Sequence, residues 1–151
     1  MSGTDEAEAL HLGLGLAHAH AGLQALLDER LGRWHGLALN DFRLLGVLVD
    51  APPGGLPTAQ LAAALHVGPS ALVRQLMPLH KTGLLARDSG TVQLRPVGRR
   101  LHAEAAQTVG AVCRQVCAAA GLDHTAWEVL RAQWQALAQG AARVNAGARS
   151  R

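Results

Sequence analysis

A chain of 151 residues with a 49% hydrophobic fraction is long enough to bury one sizeable core and too apolar to be a disordered segment. No apolar run reaches the roughly 18–20 residues of a membrane span. The opening MSGTDEAEAL is acidic where an export signal is basic, and Cys113 and Cys117 are too few for a disulfide scaffold, so a reducing, cytoplasmic setting is expected. The net charge of +3 divides unevenly, with −4 in residues 1–30, +5 in residues 31–102 and +2 beyond, which puts a polyanion-sized basic footprint in the middle of the chain.

Leu10, Leu14, Leu16, Leu23, Leu26, Leu27 and Leu31 recur without a proline and predict one long helix over residues 5–32. Gly13, Gly15 and Gly22 each lower its propensity by up to about 1 kcal/mol. Asn40 is the expected cap of a second helix through Phe42, Leu45 and Val49, which the run Ala51-Pro52-Pro53-Gly54-Gly55 ends. A short third helix spans Thr58 to Leu65, with Leu61, Ala62 and Leu65 on one side. After a turn at His66-Val67-Gly68, a fourth helix starts with Gly68 as cap and Pro69 in the first helical position, where a missing N–H costs nothing. Leu72, Leu76 and Leu79 define its buried face, and Gly83 ends it. Leu84–Arg87 and Val92–Arg95 read as a hairpin around Asp88–Thr91, stopped by Pro96. Helix returns from Val97 to Ala120, and Asp123 caps a last helix lined by Trp127, Leu130, Trp134 and Leu137. The tail after Gly140, including Arg149-Ser150-Arg151, is expected to fray.

Two short helices joined by a tight turn and followed by a hairpin make a winged helix-turn-helix. The expected fold is mainly α with a small β-hairpin wing, its core flanked by N- and C-terminal helices whose apolar faces exceed what the module can cover. A second copy of the chain is the simplest cover, and a two-fold dimer sets two recognition helices about one DNA turn apart.

The stretches Leu39-Asn40-Asp41-Phe42-Arg43-Leu44-Leu45, Leu61-Ala62-Ala63-Ala64-Leu65 and Pro69-Ser70-Ala71-Leu72-Val73-Arg74-Gln75-Leu76 follow one another in a specific order and spacing. With Leu79-His80-Lys81-Thr82-Gly83-Leu84-Leu85-Ala86-Arg87 and Val92-Gln93-Leu94-Arg95-Pro96-Val97-Gly98, the series resembles the MarR (multiple antibiotic resistance regulator) family. The resemblance implies an obligate homodimer that binds pseudo-palindromic double-stranded DNA, usually as a repressor. It also implies release by a small, often aromatic or phenolic, effector bound between the dimer helices and the DNA-binding lobe. The implied organisation is a dimerisation helix at 1–36, a DNA-binding winged module at 37–100 and dimerisation helices at 101–151. The chain departs from the family pattern at three places. Its wing tip lacks the longer loop and the Asp-x-Arg motif, Pro78 lies inside the recognition helix, and Pro57 and Gly68 replace the usual serine or threonine caps.

The outward side of the fourth helix presents Pro69, Ser70, Val73, Arg74 and Met77 as candidate DNA contacts. Arg74 carries the two-pronged donor that suits guanine, Ser70 can bond a base edge or phosphate, and Val73 can touch a thymine methyl. Lys81, Arg87 and Arg95 are candidate phosphate contacts, with plain surface charge as the alternative. Arg33, Trp34 and His35 form a candidate effector site, Trp34 for stacking and the other two for pairing with a carboxylate or phenolate. The alternative is that Trp34 fills a dimer core.

Other chemistry is poorly supported. His11 and His18 share a helix face but lie about 10.5 Å apart along the axis, and His18 and His20 point apart, so no metal is expected. The oxidation-sensing branch of the family uses an N-terminal cysteine with tyrosine partners; this chain has neither, and Cys113 and Cys117 read as small apolar filling. No nucleophile–base pair or phosphate-cradling glycine loop points to an enzyme, and no cofactor is implied. The competing reading is a dimer of the same fold that has lost DNA binding and works through protein or small-ligand binding.

Overall fold

In a computed structural model that describes residues 3–149, the helical periodicities become α1 (Gly3–His35), α2 (Leu39–Val49), α3 (Thr58–Leu65), α4 (Pro69–Lys81), α5 (Pro96–Ala119) and α6 (His124–Arg149). Three short strands complete the order: β1 (Leu56–Pro57) before α3, and β2 (Leu85–Asp88) and β3 (Thr91–Leu94) between α4 and α5. The sheet is antiparallel in the order β1-β3-β2, with Leu56 opposite Val92 and Arg87 opposite Val92 on the other side.

The expected winged helix-turn-helix is present, with four local differences. α2 starts at Leu39 rather than being capped by Asn40. Its free donors go to carboxylates instead: Ala38 N–H donates to Asp41 Oδ2 at 3.1 Å, and Leu39 N–H donates to Asp28 Oδ1 of α1 at 2.6 Å. β1 carries no alternating pattern and includes a proline, so nothing in its two residues signals a strand. The hairpin is tighter than its sequence suggested: Asp88 pairs with Thr91, leaving Ser89 and Gly90 as a two-residue turn with φ of 48° and 81°. That is the twist a right-handed hairpin favours. Finally, α6 runs past Gly140 to Arg149. Its closing AARVNAGAR is rich in alanine and arginine, whose propensity outweighs the roughly 1 kcal/mol that a glycine costs. Ser150 and Arg151 lie outside the described residues.

The chain divides into two compact units, Met1–Val112 and Cys113–Arg151. The first holds the core. Leu31 of α1, Leu44 and Leu45 of α2, Leu61 of α3, Leu76 of α4, Leu85 of β2 and Val92 of β3 are all fully buried there. Only the end of α1 contributes: Leu27 and Leu31 are buried, whereas Leu10 and Leu14 are 60% and 61% exposed. In the second unit Asp123 caps α6 as expected, accepting from Ala126 N–H at 2.8 Å, and the Trp127 indole donates to the Leu122 carbonyl at 3.1 Å.

Two glycines are required by close approach. Gly55 has φ +85°, and a Cβ there would strike the Val92 carbonyl. At Gly98, on the first turns of α5, a Cβ would strike the Leu84 carbonyl oxygen and the Leu94 side chain. Gly98→Ala is expected to destabilise the protein by about 1–3 kcal/mol through overpacking, measured by denaturant unfolding, without changing helix content.

Candidate nucleic-acid interface

The turn between α3 and α4 fixes the angle of the second helix. His66 takes the left-handed conformation at φ 55°, and Val67 N–H reaches back to the Ala62 carbonyl at 3.1 Å. Gly68 is extended, and Leu72 N–H bonds to its carbonyl at 3.0 Å, so α4 starts at Pro69. Leu72, Leu76 and Leu79 then point into the core. Gln75 donates to Asp41 Oδ1 of α2 at 3.4 Å.

Burying that stripe forces the opposite one out. Pro69, Ser70, Val73, Arg74 and Met77 are all exposed, with Met77 at 59%, and Lys81 continues the same side at the helix end. Pro78 stays within the helix, and the Thr82 hydroxyl donates to the carbonyls of Pro78 at 3.0 Å and Leu79 at 3.1 Å, closing its end. Arg74, Lys81, Arg87 and Arg95 are exposed and have no ion-pair partner among the described residues. The one acid between Thr58 and Pro96, Asp88, accepts from the Ser89 hydroxyl at 3.0 Å. An uncompensated basic surface therefore surrounds an exposed helix face.

The wing is tied to the start of α3 and closed at its base. Thr58 N–H at the start of α3 donates to the Gly90 carbonyl at 2.9 Å, and Arg95 N–H donates to Leu84 at 3.0 Å. The structure also adds residues that the sequence did not single out. His80 Nδ1 lies 3.3 Å from the Leu85 carbonyl, Gln93 Nε2 donates to the Gly54 carbonyl at 2.8 Å, and Arg99 donates to the Val49 carbonyl at 3.3 Å. The first is local, whereas the other two cross 39 and 50 residues, a range that periodicity does not report.

The three residues proposed for an effector do not converge. Arg33 pairs with Glu29 one turn back at 2.9 Å, both exposed, and Trp34 is 69% exposed. His35 alone turns inward, with Nε2 at 2.8 Å from the Thr108 hydroxyl of α5. Consecutive helical residues point about 100° apart, so the three could not share a wall within one helix. Among the described residues no group of three His, Cys, Asp or Glu side chains could hold a metal ion. Burial, with Cys117 nearby, pushes the Cys113 thiol up, away from the thiolate that redox chemistry needs.

A tight, αL-hinged helix pair, an exposed basic face on its second helix and a hairpin wing with a two-residue turn define a winged helix-turn-helix protein of the DNA-binding class. No known family's sequence model matches the chain, and no curated protein is similar to it by sequence. Solved structures are. The Mycobacterium tuberculosis MarR family protein Rv2887 is 30% identical, with 84% of this chain and 93% of that chain covered at a TM-score of 0.67. Its complex with DNA matches at 29% identity and a TM-score of 0.71, covering 83% of this chain and 96% of that chain. The same protein is also known with salicylic acid, at 28% identity and a TM-score of 0.66, covering 84% and 98%. Sco5413, a MarR family transcriptional regulator from Streptomyces coelicolor, shares the fold at 19% identity and a TM-score of 0.79, covering 90% and 96%. The chain belongs to the MarR family of transcriptional regulators, which is not a family of enzymes.

The module is braced from behind by an aromatic stack. Phe42 of α2 and His102 of α5 lie parallel, 4.6 Å between ring centroids and 10° between planes. Gly46, one turn along from Phe42, makes room: a Cβ there would come within 3.1 Å of His102 Nε2. Burial pushes the His102 imidazole below its ordinary value, with Asp50 opposing. A depressed folded-state value means that stability is full above the ordinary imidazole range and falls as acid forces the ring to charge. Stability is thus expected to drop as pH is lowered below about 6.5. His102→Phe, which keeps the stack, should flatten that limb of the unfolding curve followed against pH.

Proposed function

We propose that the protein binds pseudo-palindromic duplex DNA as a homodimer and represses transcription until a small ligand releases it. The observation that carries this is the exposed face of α4, where Arg74 stands unpaired between Ser70, Val73 and Met77 above a buried leucine stripe. A guanidinium free of acidic partners on such a face is set to meet guanine O6 and N7, and Ser70 a base edge or phosphate. The related protein seen in complex with DNA supports the same use of the module. Lys81, Arg87 and Arg95 supply phosphate contacts around it.

Exposed apolar side chains support the dimer. α1 presents Leu10, Leu12 and Leu14 to solvent, and α6 presents Trp127, Trp134 and Leu137. Segments 1–36 and 101–151 are accordingly the dimerisation helices around a DNA-binding module at 37–100. A small aromatic acid is the effector class, supported by the relative that carries salicylic acid. The His35–Thr108 bond and exposed Trp34 support the end of α1 as the part of the chain that senses such a ligand. No described helix is long and apolar enough to cross a membrane, and the protein is assigned to the cytoplasm, where its DNA target lies. The short wing, with its two-residue turn, favours a second reading, a dimer of this fold that no longer binds DNA and works through proteins or ligands.

Salt separates the two readings. Log affinity for duplex DNA should fall linearly with log salt, with a slope of about −0.9 per phosphate neutralised, whereas a protein without DNA function binds weakly or not at all even at low ionic strength. Gel shifts on the DNA upstream of its own gene supply a first operator. On that site Arg74→Ala should cost about 1–3 kcal/mol and relax one base position. Sedimentation should give a dimer, and a monomer would remove the symmetry on which the operator model rests.

A further inference from the structure

Apolar burial has no direction, and packed helices scatter by about 15–20° around their preferred angles. The leucine stripe of α4 therefore decides which side is buried but leaves the helix some freedom to turn about its own axis. At a side-chain radius of about 6 Å, a turn of about 20° carries a surface atom about 2 Å. A two-pronged base contact does not survive that, since N–H···O distances span only about 0.5 Å.

Two polar ties remove the freedom, and they lie on opposite flanks of the stripe. At about 100° per residue, Gln75 borders it on the side of Leu79 and His80 on the side of Leu76. Gln75 Nε2 donates to Asp41 Oδ1 of α2 at 3.4 Å, and His80 Nδ1 lies 3.3 Å from the Leu85 carbonyl of β2. A carbonyl only accepts, so Nδ1 carries the proton. Asp41 is itself fixed, because its other oxygen accepts from Ala38 N–H at 3.1 Å. Pro78 explains why one tie is not enough. It has no N–H to reach the Arg74 carbonyl, which weakens the ladder in the middle of α4. Gln75 lies on the N-terminal side of Pro78 and His80 on the C-terminal side.

Resting on the DNA-binding reading above, we propose that Gln75 and His80 are positioning residues for sequence readout. They hold α4 at the rotation from which Arg74, the neighbour of Gln75, addresses one base. Arg74 is exposed with no ion-pair partner among the described residues, so its aim depends on the backbone beneath it. The two ties act on selectivity rather than on general affinity. Attraction to phosphates survives a small rotation, whereas a bidentate bond to guanine O6 and N7 does not.

The test selects sites from a randomised duplex library and then measures affinity by fluorescence anisotropy. It compares the full wild-type chain with Gln75→Met, His80→Phe and Arg74→Ala, each confirmed folded by thermal unfolding. Gln75→Met keeps length and helix propensity but cannot donate, and Gln75→Ala replaces it should it not fold. The wild type should enrich guanine at one position of each half-site, and Arg74→Ala should erase that preference. Gln75→Met and His80→Phe should blunt it at the same position and weaken the selected site about tenfold. Affinity for a mixed-sequence duplex and the log–log salt slope should stay unchanged. In an Arg74→Ala background Gln75→Met should cost nothing further, since what it positions is gone. Equal weakening of both duplexes, losses that simply add to that of Arg74→Ala, or intact selectivity overturns the positioning role and leaves DNA binding in place. A wild-type chain that binds duplexes without enriching any sequence overturns it as well. One that ignores duplex DNA altogether sinks both this inference and the reading beneath it.

Discussion

The burial of one leucine stripe on α4 governs the rest of the molecule. Leu72, Leu76 and Leu79 enter a core built by α2, α3 and the sheet, and a helix that sinks one side there must display the other. That second side carries the candidate base contacts. Packing thus sets which residues can face a duplex before any specific contact forms. The αL turn at His66 and the tie from Thr58 to Gly90 hold the two neighbours of α4 in place, so the helix is presented by a rigid frame rather than by a loop.

Electrostatics follows the same frame. Between Thr58 and Pro96 four basic side chains, Arg74, Lys81, Arg87 and Arg95, are exposed, and the one acid, Asp88, accepts from a neighbouring hydroxyl. Elsewhere in the first unit carboxylates are consumed structurally, Asp28 and Asp41 at the start of α2 and Glu29 on Arg33. Positive charge is left over between Thr58 and Pro96 because all but one of the acids lie outside that stretch. Such a surface concentrates a polyanion by its field as well as by contact.

How much of this was legible in the sequence depended on range. Helices with strong three- and four-residue leucine spacing were readable, as were Pro69 at a helix start and Gly83 at an end, since each is a local rule. The candidate α4 face followed directly, because exposure is the complement of a burial pattern already visible. What escaped was long-range. Asp28 capping α2 spans 11 residues, His35 meeting Thr108 spans 73, and Phe42 stacking on His102 has no local mark beyond a small Gly46 one turn away. The convergence expected of Arg33, Trp34 and His35 ignored the helical rotation between adjacent residues, once α1 proved to continue through His35. The alanines that carry α6 past Gly140 show propensity overriding a single glycine.

The carboxylate of Asp28 gives α1 leverage over a distant part of the fold. It grips the first amide of α2 at 2.6 Å, and two residues on, Asp41 of that helix accepts from Gln75 in the middle of α4. A tilt or twist of α1 cannot leave the start of α2 where it is without stretching a charge-assisted bond, and α2 in turn is tethered to α4 through Gln75. Whatever shifts the long N-terminal helix acquires a lever with two acidic joints and its working end at the exposed face of α4.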